Sequence, residues 1–378
     1  MERALLGIGI IGCGNISTTY LNLAPLFAGV EIRSVADLDI DVAKARATEF
    51  SVRADSVDGL LAAEDIDIVL NLTIPAAHFD VCQAALEAGK HVYCEKPLVL
   101  SVAQGEALRA LADKQGLRVG AAPDTWLGGA HQAARAAIDA GRIGDVVTGT
   151  AHIMSHGPEA WHPNPDFFFQ PGAGPMLDMG PYYITNLVQL LGPVAQVTAL
   201  TARGSDTRTI GSGGRAGEEV PVDTPTTLHA LLAFASGASV TLSASWDVWA
   251  HRHGHMELYG SAGTLFLPDP NWFSGVVEIT ERDGAPQLLD SRTHPFGEAN
   301  MDMGDIVAGN YRMAGLADMA AGITEGRTHR CNLDLAVHVV DIMMSVLSSG
   351  ESGSAQELST TCDRPAPLDA AAAQALLA

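Results

Sequence analysis

The sequence predicts an α/β protein of two domains: an N-terminal doubly wound parallel sheet, and a second, β-rich α/β domain. Up to residue 124, apolar strand-like segments alternate with helical ones, which is typical of a parallel sheet covered by helices on both faces. From about residue 146 the strand-like segments are longer, and no regular helical segments separate them. With 378 residues, of which 47% are hydrophobic and 17% charged, the chain is long enough to bury two cores.

Each element of the first domain is predicted from its own residues. The run LLGIGIIG is apolar and ends in glycines, and residues 17–27 can carry the helix that follows. Ligands of such sheets bind outside the carboxyl ends of the strands, so the residues just after each strand are candidate site residues. The later predicted units are a strand EIRSVADLD, a helix at 41–50, a strand IDIVLNLTI, a helix at 79–88, a strand HVYCE, a helix at 104–114 and a strand RVGAA.

The first strand, its glycine turn and the next helix are the context that a dinucleotide-binding fingerprint needs. Gly12 and Gly14 would allow the tight turn and a close approach of the backbone to a pyrophosphate. Asn15 and Ile16 follow at the start of the helix, whose N–H groups would hold the phosphate charge. The third fingerprint position is Ser17 instead of glycine or alanine, so a simple glycine turn is the alternative.

Asp37 ends the second strand, 20 residues after Ser17, where a carboxylate would accept hydrogen bonds from an adenosine ribose. Because a carboxylate there repels a 2′-phosphate, the sequence predicts NAD in preference to NADP. Arg33 and Arg46 keep NADP open, since a nearby arginine can accommodate the phosphate.

Two further strand ends carry candidate residues. Thr73, Pro75 and His78 follow the strand IDIVLNLTI, and Glu95 and Lys96 follow the next strand, directly before a proline. Opposite charges and a stiff residue at the end of a buried strand are not what local propensity would choose, which points to function. The alternative is a surface turn with an incidental ion pair, which would contribute little stability.

Charge and cysteine content exclude several classes of protein. The chain has 22 Lys and Arg against 44 Asp and Glu, a formal net charge of −22, whereas a nucleic-acid binder needs clustered basic residues. Its five cysteines are an odd set without a C-x-x-C pair, which fits neither a disulfide framework nor a zinc ribbon. The apolar start, residues 5–11, is too short to span a membrane. We therefore expect a cytoplasmic protein that binds neither nucleic acid nor membrane.

The motifs GIIGCGNIS, VADLD, LTIPAAH and CEKP, in this order, resemble those of the Gfo/Idh/MocA oxidoreductases, such as glucose-fructose oxidoreductase and inositol dehydrogenase. The resemblance continues through GAGPMLDMGPYYITNLVQLLG and MELYGSAGTLFL and so covers nearly the whole chain. It implies an NAD(P)-binding Rossmann domain over residues 1–124. It also implies, over residues 125–378, a substrate-binding and oligomerisation domain with a large open, mostly antiparallel sheet, through which a homodimer or homotetramer would form.

The resemblance also implies roles for single residues. In this family the lysine of EKP takes the proton of the reacting hydroxyl, so Lys96 is expected to be the main proton acceptor and to contact the substrate. Glu95 is expected to lie toward the nicotinamide ribose, and Trp126, with its neighbours Asp124 and Thr125, to border the nicotinamide. The expected cofactor-binding set is Gly12, Gly14, Asn15, Ile16, Asp37, Thr73, Pro75, His78, Glu95, Lys96 and Trp126.

The second catalytic element of the family is D-x-G-x-H on a helix, and here this segment has Asp178 and, in place of histidine, Tyr182. A spacing of four residues places both side chains on one helical face, where they can address one substrate. A phenol can donate a proton, but its ordinary pKa of about 10 makes it a poorer base than imidazole. Lys96 is therefore expected to carry the larger share of proton transfer, and Tyr183 to pack against the sheet.

The loop HGPEAWHPNPDFFFQPGAG combines aromatic and polar side chains, which suits a sugar ring. Trp161 and His162 are predicted to contact the substrate, with His162 as a possible replacement for the absent histidine; a plug of aromatic side chains is the alternative. Residues 203–224, rich in glycine, serine and charge, are predicted to form a hairpin loop that is mobile or lid-like.

His251, His253 and His255 would share one face of a strand and in that arrangement could bind zinc or nickel. Because the family needs no metal, we expect these histidines to belong to the sheet and the protein to contain no metal site.

Three functions remain open at this point. The leading one is an NAD(P)-dependent dehydrogenase or reductase acting on a secondary alcohol of a sugar, glycoside or inositol-like polyol. The alternative is a glycoside hydrolase that oxidises C3 transiently, eliminates the aglycone and recycles its NAD. The third, a nucleotide-binding sensor without catalysis, is disfavoured by the presence of Lys96 and Asp178.

Overall fold

The computed structural model describes residues 5–302, 304 and 307–378. The chain forms two compact units. The first consists of Met1–Gly129, Arg292–Val340 and Pro365–Ala378, and the second of Ala130–Ser291 and Asp341–Arg364. Two later segments thus belong to the same unit as the N-terminal residues. The sequence instead predicts one boundary between two domains, at residue 124, and this division stays a prediction.

The strands and helices have the following bounds in the described residues. The strands are β1 (Leu6–Ile11), β2 (Val30–Ala36), β3 (Arg53–Asp55), β4 (Ile68–Asn71), β5 (His91–Cys94), β6 (Val119–Ala121), β7 (Val146–Met154), β8 (Val194–Ala202), β9 (Thr207–Thr209), β10 (Glu219–Pro221), β11 (Thr227–Phe234), β12 (Ser239–Ser245), β13 (Met256–Gly260), β14 (Gly263–Leu267), β15 (Val277–Glu281), β16 (Gln287–Leu289), β17 (Met301–Asp302), β18 (Val307–Ala308) and β19 (Gln356–Glu357). The α-helices are α1 (Asn15–Leu23), α2 (Ile40–Phe50), α3 (Val57–Ala62), α4 (Pro75–Glu87), α5 (Val102–Gln115), α6 (Gly129–Asp139), α7 (Gly174–Leu191), α8 (Ala314–Glu325), α9 (Leu333–Ser352) and α10 (Ala370–Gln374).

The first unit contains a parallel six-stranded sheet in the order β3-β2-β1-β4-β5-β6. Its central strands are buried on both faces, as their continuous apolar runs predict. The doubly wound parallel sheet is confirmed. The short edge strand β3 and helix α3 were not predicted, because three residues that begin with the exposed Arg53 carry no recognisable strand pattern.

Helix ends in this unit follow from local chemistry. The Ser101 hydroxyl accepts a hydrogen bond from Gln104 N (3.2 Å) and so satisfies an N–H group at the start of α5. Gly116 ends α5 in the left-handed conformation with φ 66°, which glycine adopts without a steric penalty.

The second unit contains a nine-stranded sheet in the order β16-β15-β14-β13-β7-β12-β11-β8-β19. All neighbouring pairs are antiparallel except β7 and β12. Helix α7 packs on one face, contacting β7, β11 and β12. Burial alternates along β11, so that Leu231 on the other face is 55% exposed. The large, mostly antiparallel and open sheet that the family resemblance implied is confirmed.

Helix α9 is long and apolar enough to cross a membrane, yet 61% of its most apolar window is buried inside the protein. Such burial is typical of a core helix.

The segment 203–224 contains the predicted hairpin, formed by β9 and β10. Its apolar side chains form a small core with the aromatic loop that precedes α7. This core consists of Phe169, Ile210, Val220, Val222 and Trp246. The hairpin therefore packs on the loop that carries Trp161 and His162; its predicted mobility stays a prediction.

His131 in α6 predicts an acid sensitivity of the second unit. Its Nε2 lies 2.8 Å from the Trp272 carbonyl, and its Nδ1 lies 3.1 Å from Nδ2 of Asn186, an amide nitrogen that only donates. The ring is therefore held neutral, and burial lowers the pKa of His131 to about 4. An unfolded histidine titrates at about 6.5, so as the pH falls from about 6.5 towards 4 only the unfolded state gains this proton.

We expect the free energy of unfolding to fall by up to about 3 kcal/mol through this group over that pH range. Urea unfolding at pH 7 and pH 5 measures the loss, which should shrink in His131→Gln and persist in the exposed control His229→Gln. Equal acid sensitivity in both variants would contradict the assignment.

Candidate active site

The glycine turn after β1 has the geometry that a bound dinucleotide requires. Gly12 has φ 103°, and a Cβ atom there would lie 2.7 Å from the Leu72 carbonyl carbon, so only glycine fits. Gly14 is exposed, and open space surrounds the position that its Cβ would take. No side chain among the described residues caps the start of α1 at Gly14, so this nine-residue helix can present its first N–H groups to an anion. The residues present therefore fit a pyrophosphate.

Asp37 lies directly after β2, next to the glycine turn. Its carboxylate accepts hydrogen bonds from Cys13 N (2.8 Å) and Asp39 N (3.1 Å), one on each oxygen. These bonds orient the carboxylate, and each oxygen keeps a lone pair for another donor. Burial, with Asp37 second, raises the pKa of the Cys13 thiol to about 11, so this cysteine stays protonated.

The two arginines that kept NADP open lie in different places. Arg33 donates to the Asp65 carbonyl (2.6 Å) and pairs with Glu31. Both partners lie at the end of the sheet where β2 begins, away from Asp37 at its other end. Arg46 donates to the Cys13 carbonyl (3.3 Å) and pairs with Glu49 (2.7 Å), so it borders the turn. Only Arg46 remains a neighbour of the predicted ribose site.

His78 is fully buried and braces two loops at the carboxyl edge of the parallel sheet. Its Nδ1 lies 2.7 Å from the Pro97 carbonyl and its Nε2 lies 3.0 Å from the Thr73 carbonyl. Burial lowers the pKa of His78. Thr73 in turn donates its hydroxyl to Asn71 (2.7 Å), and Pro75 begins α4. Thr73 is thus placed at the sheet edge, while the predicted cofactor ligand His78 has both ring nitrogens against backbone carbonyls.

Glu95 and Lys96 lie at the same edge, after β5. The Glu95 carboxylate accepts hydrogen bonds from the hydroxyl of Tyr20 (2.6 Å) and from Lys96 N (3.0 Å). Tyr20 is fully buried in α1, and burial, followed by the charge of Glu95, raises its pKa well above the usual value. The phenol therefore remains a proton donor to Glu95. The sequence did not indicate this role of Tyr20, because an apolar helix position with a tyrosine is usually a core residue.

Asp124 and Trp126 are buried within the first unit. Asp124 Oδ2 accepts hydrogen bonds from Met313 N and Gly315 N (3.0 Å each), at the start of α8. Burial raises the pKa of Asp124 to about 6. Trp126 is 1% exposed. The structure thus places Asp124 as a cap of α8, and the predicted contact of Trp126 with nicotinamide stays a prediction.

Asp178 and Tyr182 both lie in α7, in the second unit. Asp178 lines a cavity of about 240 Å³ beside the helix, and the tyrosine that shares this cavity is Tyr183. Tyr182 is buried and is not among the residues that line the cavity. Lys96 belongs to the first unit, so its joint action with Asp178 and Tyr182 on one substrate stays a prediction.

Tyr183 is buried on α7, the helix that packs against the sheet, and the expectation of packing did not include the polar contacts of its hydroxyl. Its hydroxyl lies 3.0 Å from Nδ1 of His255 and 3.5 Å from the carboxylate of Asp269, and all three residues line the cavity. His255 had been grouped with its neighbours as a sheet residue. The pairing joins residues 72 positions apart, so no local pattern could have indicated it.

The aromatic loop contributes unequally to this cavity. Trp161, which is 66% exposed, and the buried Trp246 line it. His162 is not a lining residue; its ring packs edge-on against Phe167 and Phe168, and its Nδ1 accepts a hydrogen bond from Asn164 N (3.2 Å). The structure therefore places Trp161 at the cavity and His162 in the aromatic cluster.

A buried ion network holds this loop. Arg208 of the hairpin pairs with Glu159 (3.1 Å) and with Asp247, and Glu159 lies in the short helical turn Pro158–Ala160, which ends at Trp161. Asp247 also accepts hydrogen bonds from the hydroxyls of Thr226 (2.7 Å) and Thr227 (2.6 Å). The side chains of Arg208 and Glu159 are only 9% and 5% exposed, so the charges depend on one another for compensation.

The histidines 251–255 do not form a metal centre in the described part of the chain, where no group of three His, Cys, Asp or Glu side chains could hold an ion. His253 stacks on His152 with ring centroids 4.1 Å apart, and His251 and His255 line the cavity. The expected absence of a metal stays a prediction.

Comparison with known proteins shows the family to which the chain belongs. A family profile described as "Oxidoreductase family, NAD-binding Rossmann fold" matches residues 6–122, and the "GFO/IDH/MocA C-terminal domain" matches residues 131–266. Inositol 2-dehydrogenase of Rhizobium meliloti is 30% identical over 295 residues, which are 77% of this chain and 84% of that protein. This chain belongs to the Gfo/Idh/MocA oxidoreductases. The resemblance of its motifs is confirmed.

A second sequence relative and two solved structures are also similar to this chain. The dTDP-3,4-didehydro-2,6-dideoxy-alpha-D-glucose 3-reductase of Streptomyces violaceoruber is 30% identical over 295 residues, 75% of this chain and 80% of that protein. Levoglucosan dehydrogenase in complex with NADH has the same fold, with a TM-score of 0.80, 20% identity, and coverage of 94% of this chain and 99% of that one. An NAD-binding oxidoreductase from Klebsiella pneumoniae gives a TM-score of 0.78 at 21% identity, covering 94% and 99%.

The family match indicates what the glycine turn binds. In this Gfo/Idh/MocA chain, the segment that holds Gly12, Gly14 and Asp37 lies inside the part matched by the NAD-binding profile. The first unit therefore contains an NAD-binding Rossmann domain.

Proposed function

We propose that the protein is an NAD-dependent sugar or polyol dehydrogenase, or a reductase working in the opposite direction. It transfers a hydride between a secondary alcohol of a sugar, glycoside or inositol-like polyol and nicotinamide, with Lys96 as the main proton acceptor. The observation that carries the proposal is the Glu95–Lys96 segment. It is anchored by Tyr20 at the carboxyl edge of the same parallel sheet that holds the glycine turn and Asp37.

The cofactor would be held by the glycine turn and by the strand ends. Gly12 and Gly14 leave room for a pyrophosphate, Asn15 and Ile16 begin the helix behind it, and Asp37 offers its carboxylate to a ribose. When bound, NAD supplies the hydride acceptor. Thr73 and Glu95 lie at strand ends along the same edge, and His78 positions both loops through the Thr73 and Pro97 carbonyls.

The preference for NAD over NADP rests on Asp37. Its carboxylate is oriented by two backbone N–H groups and would face a 2′-phosphate with like charge. Arg33 is committed elsewhere, and Arg46 is shared between Glu49 and the Cys13 carbonyl. Arg46 already has an anionic partner in Glu49, so it offsets little of that repulsion.

Oxidation of a secondary alcohol removes a hydride from carbon and a proton from oxygen. The amine of Lys96 takes this proton, and in the reductive direction the ammonium returns it. Glu95 holds the backbone of Lys96 and, through Tyr20, is itself fixed. In the second unit, Asp178 and Tyr182 would orient the substrate from α7, and Trp161 would cover one face of its ring.

The similar proteins support this class of substrate, since their names refer to inositol, a deoxysugar and levoglucosan. Five buried free thiols suit the predicted cytoplasmic location.

We also propose that copies associate through the open face of the nine-stranded sheet as a homodimer or homotetramer. Leu200 and Leu231 are 73% and 55% exposed on adjacent strands there. The molar mass from light scattering decides between these assemblies and a monomer.

The proposed activity is tested by following NADH at 340 nm with inositols, free sugars and glycosides, with NAD and NADP in parallel and aglycone release scored in the same wells. We expect NADH in proportion to the substrate consumed, with a higher kcat/KM for NAD than for NADP. Asp37→Ser should narrow that difference. Aglycone release far above the NADH formed would replace the proposal by redox-assisted glycoside hydrolysis, and no signal in either channel would contradict both.

A further inference from the structure

The strongest unassigned feature is a chain of polar groups in the wall of the cavity. Tyr183 is 2% exposed, and its hydroxyl contacts Nδ1 of His255 at 3.0 Å and Asp269 Oδ1 at 3.5 Å. The three residues come from α7, from the loop before β13 and from the loop after β14. Burial, followed by the charge of Asp269, raises the pKa of Tyr183 well above its usual value, so the phenol keeps its proton.

These contacts determine what His255 can offer to a ligand. Its Nδ1 is occupied by Tyr183, so Nε2 is the ring nitrogen that a bound molecule can engage. If Tyr183 donates to Asp269, Nδ1–H donates to Tyr183 and Nε2 is an acceptor. If Tyr183 donates to His255, Nε2 carries the hydrogen and is a donor. A neutral imidazole can therefore meet a hydroxyl group as either partner.

The rest of the cavity has the chemistry of a neutral ring. Its volume of about 240 Å³ lies below the range of about 300–1,000 Å³ for sites of drug-sized ligands, which suits a single six-membered ring. Trp161 and Trp246 supply aromatic surface, and Asp178 and Asp269 supply carboxylates. Among the described residues that line it there is no lysine or arginine to compensate a phosphate.

We propose that Tyr183 and His255, positioned by Asp269, form a hydroxyl-recognition pair that selects an unphosphorylated cyclic polyol or pyranose over its phosphorylated counterparts. This inference rests on the proposed dehydrogenase function and names the substrate class of the same site. A phosphate in this cavity would be repelled by the carboxylates of Asp178 and Asp269. A hydroxyl group can donate to either carboxylate, and Nε2 of His255 can meet it as donor or as acceptor.

Binding is tested on the full chain by calorimetric titration with myo-inositol, levoglucosan and glucose, each also against inositol phosphate or glucose 6-phosphate. We expect at least one neutral ring to bind, and its phosphate to bind at least about tenfold more weakly. Tyr183→Phe and His255→Gln should each weaken the neutral ligand about tenfold, and the double variant should be no more than about twofold worse than the weaker single one, because the two groups act together.

The matched control is Tyr259→Phe, which also removes one phenol, on β13, but outside the residues that line the cavity. It should leave the affinity unchanged. Equal affinity for ring and phosphate, no binding of any neutral ring, or variants that behave like the control would each overturn the inference. Should Tyr183→Phe fail to fold, the exposed His255 still provides the test.

Two further measurements separate this inference from the proposed function. NADH affinity, followed by cofactor fluorescence, should be the same in wild type, Tyr183→Phe and His255→Gln. In turnover, both variants should raise KM for the ring with a smaller change in kcat. A wild type that binds the ring but forms no NADH contradicts the proposed function alone. A wild type that turns over, with unchanged KM in both variants, contradicts the hydroxyl-recognition pair alone.

Discussion

Replacing Lys96 with methionine is expected to lower kcat for polyol oxidation by about 10²- to 10⁴-fold, the usual contribution of a positioned general acid or base. Methionine keeps the length of the side chain and removes the amine, so the hydroxyl proton loses its acceptor. Glu95 remains held by Tyr20 Oη and by the backbone N–H of residue 96, both of which the substitution preserves. The affinity for NADH should therefore stay within about twofold. Steady-state kinetics and a fluorescence titration with NADH measure the two quantities.

The control for this substitution is Lys114→Met, because Lys114 is an exposed lysine in the last turn of α5. It should leave both kcat and the NADH affinity unchanged. Full turnover in Lys96→Met would remove this lysine from the reaction, whatever the control shows.

The second large effect is expected from Arg208→Met. The change leaves the carboxylates of Glu159 and Asp247 without their shared cation in a largely buried position. Removing one partner of a buried ion network costs about 3–5 kcal/mol, and we expect a loss of that size in the free energy of unfolding from urea denaturation. The KM for the ring substrate should also rise, because Glu159 anchors the turn that carries Trp161.

Two comparisons show whether the uncompensated charge is the cause. Arg208→Met combined with Glu159→Gln removes one of the two stranded carboxylates and should recover part of the lost stability. Arg215→Met removes a guanidinium of the same hairpin whose partners, Asp166 and Glu218, are solvent-exposed, and it should have a far smaller effect. A double variant less stable than Arg208→Met itself would show that charge compensation is not the reason.

Local patterns predicted the parallel sheet correctly, and they also selected the candidate residues at its carboxyl edge. Gly12, Asp37, Glu95 and Lys96 were found because each follows an apolar strand, and a parallel sheet brings the ends of its strands to one edge. No distant contact is needed for that argument, since hydrophobic alternation and glycine conformations are properties of short segments. The edge strand β3 was missed because it has little apolar surface and therefore no hydrophobic pattern that a sequence argument could use.

The contacts of single side chains within the first unit were not predicted. His78, predicted to bind the cofactor, lies with both ring nitrogens against backbone carbonyls, and Asp124, predicted near the nicotinamide, caps α8. Each partner comes from another element of the first unit. The structure places His78 in the first turn of α4, and the direction of its ring, towards the Thr73 and Pro97 carbonyls, is not given by residue type alone.

The sequence by itself determined the family, the Rossmann domain and the strand ends that carry its candidate residues, because these follow from short motifs and from hydrophobic periodicity. The tertiary structure decided which side chains meet. It joined Tyr183 to His255 and Asp269, and Arg208 to Glu159 and Asp247, over separations of tens of residues. The physical reason is that hydrogen bonds and ion pairs depend on distances of a few ångströms, which the packing of whole elements sets and no local pattern encodes.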